Sequence, residues 1–194
     1  MADSNLTKRA LASALKELMK EEPFAKISIG DICAKCHMNR NSFYYHFKDK
    51  YELVNWIFDT EFVALVSGEQ PPRTYTEHVK QLEDTCVFFY NNRDFYRKAL
   101  QIKGQNAFSD HFREFVRPIM ELRISRLVGE SDADDFSIDF FVDAVLCALM
   151  RWLRSTDCMP PKEFAQKLVR LVVLTSAALQ KEIEQERKIT ERQR

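Results

Sequence analysis

Glycine and proline are scarce in this chain, at four and six of 194 residues. Sandwiches and barrels place turn residues roughly every 8–12 positions, so this shortage disfavours an all-β fold. Apolar residues instead recur with helical spacing along most of the chain, which predicts an all-α protein of about nine helices. No apolar run reaches the roughly 18 residues that a membrane-spanning helix needs. No signal-peptide pattern precedes Thr7, so a cytoplasmic protein without a membrane is expected. A glycine-rich phosphate loop, an H-E-x-x-H helix, a nucleophile elbow and a recognisable carboxylate pair are all missing. An enzyme is therefore not expected, nor any cofactor. Formal net charge is zero, so the chain is not a basic coat for nucleic acid.

Cysteine is present in an odd number, five, which does not fit a disulfide framework. Cys33-Ala34-Lys35-Cys36-His37 is a literal C-x-x-C-H, the spacing used for c-type haem attachment. That attachment takes place outside the cytoplasm. A structural zinc site wants four ligands, and no second pair stands at zinc spacing. Metal is therefore not expected. Cys33 and Cys36 read as small apolar residues packing a helix, with a redox thiol pair as the alternative.

The richest stretch is Ile27 to Phe58. Ser28 precedes the run Ile29, Ile32, Cys33 as a candidate N-cap, with Asp31 three positions on to answer it. The helix ends near Lys35 or Cys36. His37 falls at a corner that wants positive φ, which histidine tolerates better than most residues. Asn39 is a strong N-cap for the next helix, which Phe43 anchors inward. Arg40, Asn41 and Ser42 lie in its first turn. A recognition helix reads base edges with its N-terminal residues. Arg pairs bidentately with guanine, Asn with adenine, and Ser suits either base or phosphate. Tyr44, Tyr45, His46, Lys48 and Lys50 offer hydroxyl and cationic groups for phosphate oxygens. The following helix begins near Asp49 or Lys50. Residues 1–50 hold nine cations against six anions, a local excess of three positive charges. The segment reads as a helix-turn-helix whose partner is a double-stranded DNA operator.

In order and spacing this segment resembles the TetR/AcrR family of transcriptional regulators. The residues that carry the likeness are Ser28, Ile32, Met38, Asn39, Ser42, Phe43, Tyr44, Tyr45, His46, Phe47, Lys50 and Leu53. Cys36 replaces the usual alanine, His37 the corner glycine, and Asn41 a glycine of the recognition helix, so base preference does not transfer from other members. Two further stretches, KDKYELVNWIF and FYRKALQIKGQN, resemble a subgroup of regulators of dihydroxyacetone kinase. The resemblance implies an N-terminal DNA-binding domain, a C-terminal effector and dimerisation domain, and a repressor released from its operator by a small molecule.

The rest of the chain reads as helices. Leu6–Met19 carries an apolar stripe, and Pro23-Phe24 ends it. Glu52–Val66 is a connecting helix, stopped by Ser67-Gly68 and Pro71-Pro72. The expected division is residues 1–50 for DNA, 51–72 for the connecting helix and linker, and 73–194 for the effector and dimerisation domain. Helices are expected over Thr76–Tyr90, from an Asp94 cap to Ile102, from Asn106 or Ser109 to about Leu127, over Phe136–Leu153, and from about Lys162 past Leu179. Pro118 should kink the third of these five.

Helices 136–153 and 162–181 are apolar on more than one stripe. A homodimer interface would cover the excess, although both could pack inside one subunit. The set Cys86, Phe89, Tyr90, Tyr96, Phe108, His111, Phe112, Phe115, Phe141 and Trp152 is a candidate effector pocket, or ordinary aromatic core. His78 and Arg123 are further polar candidates. Three function classes are weighed: a ligand-responsive DNA-binding regulator, an enzyme, disfavoured by the missing motifs, and an interaction module that kept the fold without DNA binding; a regulator or co-activator controlled by a protein partner is a further alternative. Arg40, Asn41, Ser42, Lys48 and Lys50 argue against a loss of DNA binding.

Overall fold

The computed structural model describes residues 2–63, 66, 74–103, 107–128 and 134–171. Among these the chain forms nine α-helices and no strand. They are α1 (Ala2–Glu21), α2 (Ile29–Lys35), α3 (Arg40–His46), α4 (Lys50–Phe58), α5 (Tyr75–Asn91), α6 (Arg93–Ala99), α7 (Phe108–Val128), α8 (Asp135–Arg154) and α9 (residues 161–171). A 3₁₀ turn, Phe24–Lys26, joins α1 to α2, and a π-helical turn, Asp59–Val63, continues α4. The linker at 67–72, Gly104 and Asn106, the side chains of His78 and Arg123, and the last helix beyond 171 lie outside the described residues.

The chain divides into two compact units, and these do not follow the expected boundaries. One comprises residues 1–69 with 92–158, the other 70–91 with 159–194. The cause is that α1 packs on α6 and α4 packs on α7, so the N-terminal helices share a core with later ones. Leu11, Leu15 and Met19 of α1, and Leu53, Val54, Ile57 and Phe58 of α4, are fully buried in that first unit.

The short helix α6 holds this unit together from both of its ends. Lys98 donates from Nζ to the carbonyls of Met19, Lys20 (3.0 Å) and Glu22 (3.4 Å), capping the C-terminus of α1. Arg93 donates from Nε to Leu153 O at 2.9 Å, and from its guanidinium to Ser155 O, capping α8. A cation at a helix C-terminus meets carbonyls that have no partner in their own helix and the negative end of its dipole. Asp94 is not the cap of α6: the helix opens at Arg93 after Asn92, and Asp94 stands in its first turn.

Helix α8 packs along α7 with Ile138, Val142, Leu146, Leu149 and Leu153 buried. Polar ties run along that seam. Arg117 meets Asp135 (2.5 Å) and Asp139 (3.2 Å), and Arg113 meets Asp143. The two carboxylates raise the Arg117 pKa further above its ordinary value. Asp134 caps α8 by accepting from the Ser137 amide at 2.7 Å. Pro118 lies inside α7, which runs unbroken from 108 to 128. In the second unit α5 buries Cys86 and Phe89, and α9 buries Phe164 and Ala165. Burial, with Glu83 nearby, pushes the Cys86 thiol up to about 12.

Candidate DNA-binding surface

Local capping sets the geometry of the N-terminal motif. At the start of α2, the Asp31 amide donates to Ser28 Oγ (3.2 Å), while the Ser28 amide (2.8 Å) and hydroxyl (2.6 Å) donate to Asp31 Oδ2. This is a complete capping box. The Ser28 hydroxyl, then its amide, hold the Asp31 carboxyl below the ordinary carboxylate range. The corner falls at His37, which has φ 56°. Met38 N closes the corner by donating to Cys33 O at 2.8 Å. Asn39 then caps α3, its Oδ1 accepting from the Ser42 amide (2.8 Å) and hydroxyl (3.1 Å).

Phe43 is completely buried and fixes the inner face of α3. Its ring lies 5.8 Å from Phe47, whose ring lies 5.8 Å from Trp56 of α4. Lys8 of α1 places its ammonium 5.7 Å from the Phe47 ring and 6.0 Å from that of Trp56. The opposite face of α3 presents Arg40, Asn41, Tyr44 and Tyr45 to solvent, and Lys48 is exposed just beyond the helix. Tyr45, at 82% exposure, stacks edge-on against His46. An outward tyrosine this exposed is unexplained by packing, and its ring and hydroxyl suit a sugar–phosphate surface. Asp49 caps α4 by accepting from the Tyr51 (2.9 Å) and Glu52 (2.8 Å) amides, and Glu52 reaches back to the Lys48 amide.

The residues assigned to DNA from the sequence thus fall into three groups. Arg40, Asn41, Tyr44, Tyr45 and Lys48 share the outer face, with His46 half-exposed at its edge. Ser28, Asn39 and Ser42 are engaged in caps and shape the backbone. Lys50 turns inward. Its ammonium donates to the carbonyls of Phe24 (2.8 Å), Ala25 (3.5 Å) and Ile27 (2.6 Å), and lies 4.4 Å from the Phe24 ring centre. Burial lowers the Lys50 pKa, with Asp31 pulling the other way. Cys33 is buried, and burial raises both Cys33 and Cys36 thiols above the ordinary value, the opposite of an activated thiol. Among the described residues no cluster of side chains is suited to a metal ion.

The candidate effector residues are divided between the two units. In the first unit, the Phe58 ring is ringed by Phe62 (5.1 Å), Phe108 (5.4 Å), Phe115 (5.4 Å), Phe112 (5.6 Å), His111 (5.8 Å) and Tyr96 (6.5 Å). Burial raises the Tyr96 phenol well above its ordinary value. Phe58 and Phe62 escaped sequence reasoning, although their spacing of four on the connecting helix was a signal. Trp152 is buried on α8, whereas Phe141 on the same helix is 40% exposed. Cys86, Phe89 and Tyr90 belong to the second unit, with Tyr90 39% exposed. The expected continuous helix 52–66 widens into the π turn beside the ring cluster. Asp59 of that turn meets His111 Nε2 at 2.8 Å, and Glu61 takes Lys16 of α1 on both oxygens at 2.8 Å.

A capped two-helix corner with an outward, polar and aromatic second helix defines a helix-turn-helix protein. The particular family follows from sequence comparison. The pattern of "Bacterial regulatory proteins, tetR family" matches residues 11–57, and that of "Transcriptional regulator C-terminal region" matches residues 77–173. The chain belongs to the TetR family of transcriptional regulators, a family of regulators and not of enzymes. It is 29% identical over 102 residues to the HTH-type dhaKLM operon transcriptional activator DhaS of Lactococcus lactis. That match spans 53% of this chain and 53% of the relative, about half of each. Solved structures share the fold. The dihydroxyacetone kinase operon activator DhaS aligns at TM-score 0.62 and 20% identity over 89% of this chain and 97% of that one. A TetR transcriptional regulator from Streptococcus agalactiae aligns at 0.69 and 19% over 88% and 96%. NalD of Pseudomonas aeruginosa, described as a secondary repressor of a multidrug efflux pump, aligns at 0.59 and 17% over 87% and 94%. No helix among the described residues is long and apolar enough to cross a membrane.

Proposed function

We propose that the protein is a cytoplasmic, sequence-specific DNA-binding regulator that acts as a homodimer. The outer face of α3 carries this reading: Arg40, Asn41, Tyr44 and Tyr45 are exposed around a fully buried Phe43 anchor. In this reading Arg40 and Asn41 contact base edges, Tyr44, Tyr45, His46 and Lys48 contact the backbone, and Ser28, Asn39, Ser42 and Lys50 hold the frame. A second stripe on α8 supports the dimer. Phe136, Phe140, Ala144 and Cys147 follow one another at helical spacing and are all exposed, opposite the stripe that packs on α7. A twofold dimer requires a pseudo-palindromic operator with half-sites about 34–36 Å apart or a multiple of that.

Control by a small, mainly apolar effector is part of the proposal, with the rings around Phe58 as its site. We read the sign as repression. The match to DhaS, named as an activator, favours activation as the second reading. Two measurements test the function. In gel shifts at several salt concentrations, Arg40→Ala should cost about 1–3 kcal/mol on a selected operator and less on random DNA. Equal losses on both would mean that Arg40 touches only phosphate, and no binding by the wild-type protein would defeat the reading. Transcript levels of neighbouring genes in a deletion strain set the sign: a rise means repression, a fall activation.

A further inference from the structure

We propose that Gly30 is a specificity-determining position: the space left by its missing side chain is the seat of the Arg40 guanidinium, and this seat sets how Arg40 meets DNA. The proposal rests on the assignment of Arg40 to base contact. A Cβ added at Gly30 would lie 2.6 Å from Arg40 Nη2, and 3.3 Å from both Cζ and Nε. The nearest obstacles to a side chain at Gly30, in the first turn of α2, are thus three atoms of one guanidinium. Asp31 of the same turn attracts Arg40 electrostatically.

Backbone conformation does not explain the glycine. Gly30 lies in ordinary helical geometry inside α2, where alanine is the better helix former. What glycine provides here is room. A guanidinium resting on backbone, beside a carboxylate, has lost part of its rotamer freedom before DNA arrives. Bidentate pairing with a base depends on such placement, because both donors must align at once. Alanine at 30 would push aside the far end of a flexible side chain, not backbone. The fold should survive while the guanidinium moves off its seat.

A double-mutant cycle tests this. Wild type, Gly30→Ala, Arg40→Ala and the double variant are titrated, at fixed salt, against a duplex selected from a random pool by the wild-type protein, and against random DNA. Gly30→Ala should lower affinity for the selected duplex by about 5- to 50-fold, and for random DNA by less than about twofold. In the Arg40→Ala background the same change should cost less than about twofold. The melting temperature of Gly30→Ala should not fall. Equal losses in the two backgrounds, or no loss in either, would overturn the seat while leaving Arg40 as a DNA contact. An Arg40→Ala protein that binds the selected duplex as well as wild type overturns the assignment of Arg40, and the seat with it.

Discussion

Lys50 separates two physical accounts of the same residue. Exposed on a DNA face, it would contribute one phosphate contact. In the structure its ammonium instead ties the turn after α1 to the start of α4, donating to Ile27 O at 2.6 Å and Phe24 O at 2.8 Å over the Phe24 ring. Hydrogen bonds from a charged donor contribute about 1.5–3 kcal/mol each. A partly desolvated ammonium on a ring face adds about 0.5–2 kcal/mol. Against this stand the desolvation of the ammonium and the ordering of a long side chain. Phe24 O also accepts from the Ile27 amide at 3.2 Å, so it keeps a partner when Lys50 goes. Lys50→Met, which keeps the apolar stem, should then destabilise the protein by about 2–4 kcal/mol. For a chain of this length that is a fall in Tm of about 4–16 °C. The assay is thermal unfolding followed by circular dichroism, paired with the salt dependence of DNA binding well below the transition. The structure expects a large loss of stability and an unchanged salt slope. An unchanged Tm with a slope lowered by about one would refute the inward reading and return Lys50 to the phosphates.

Two further outcomes follow from the geometry. Phe140→Asp puts a charge on the outer stripe of α8, where the native ring is 59% exposed, so the subunit should fold but sediment as a monomer and bind the operator weakly; a wild-type monomer at micromolar concentration would remove the dimer from the proposal. Asp31→Asn tests the capping box through pH. Ser28 lowers the folded-state pKa of Asp31, so this stabilisation is present above the unfolded carboxylate value near 4 and is lost as pH falls through the lower folded value. The stability gap between wild type and Asp31→Asn should accordingly be constant near neutral pH and close on acidification; a gap that persists at pH 2 would show that charge is not involved.

The motif was legible because its determinants are local. Ser28 with Asp31, the positive φ of His37, and Asn39 with Ser42 each depend on residues no more than four positions apart. Such contacts leave a spacing in the sequence. Long-range partners leave none. Nothing near Lys50 signals carbonyls more than twenty residues back, and nothing near Lys98 or Arg93 signals the ends of α1 and α8. The Asp94 cap failed for a related reason. Aspartate at a cap and aspartate in the first turn both satisfy the N-terminal dipole, so composition alone does not tell one from the other. The π turn was hidden too, because Asp59–Val63 has no glycine or proline to mark an irregular turn.

The same long-range ties bear on how the proposed effector would reach the DNA-binding face. In sequence, the only link is the connecting helix. In the structure α1 is held by two more: Lys98 on its terminal carbonyls, and Glu61 of the π turn on Lys16, whose ammonium also lies 5.5 Å from the Phe95 ring. Asp59, two residues before Glu61, is tied to His111 on α7. One widened turn is therefore bound to α1 on one side and to α7 on the other, with Phe58 and Phe62 reaching into the ring cluster. Partly exposed ion pairs contribute about 0–1 kcal/mol each, and a charged donor on carbonyls somewhat more. Allosteric coupling is typically about 1–3 kcal/mol, the same scale. A molecule that parts the rings around Phe58 need only exchange one or two such ties to favour a second orientation of α1. Helix α1 in turn carries Lys8 over Phe47 and Trp56, directly behind the recognition helix. Under the proposed function, coupling to such an effector would run through the π turn and α1 as well as along α4.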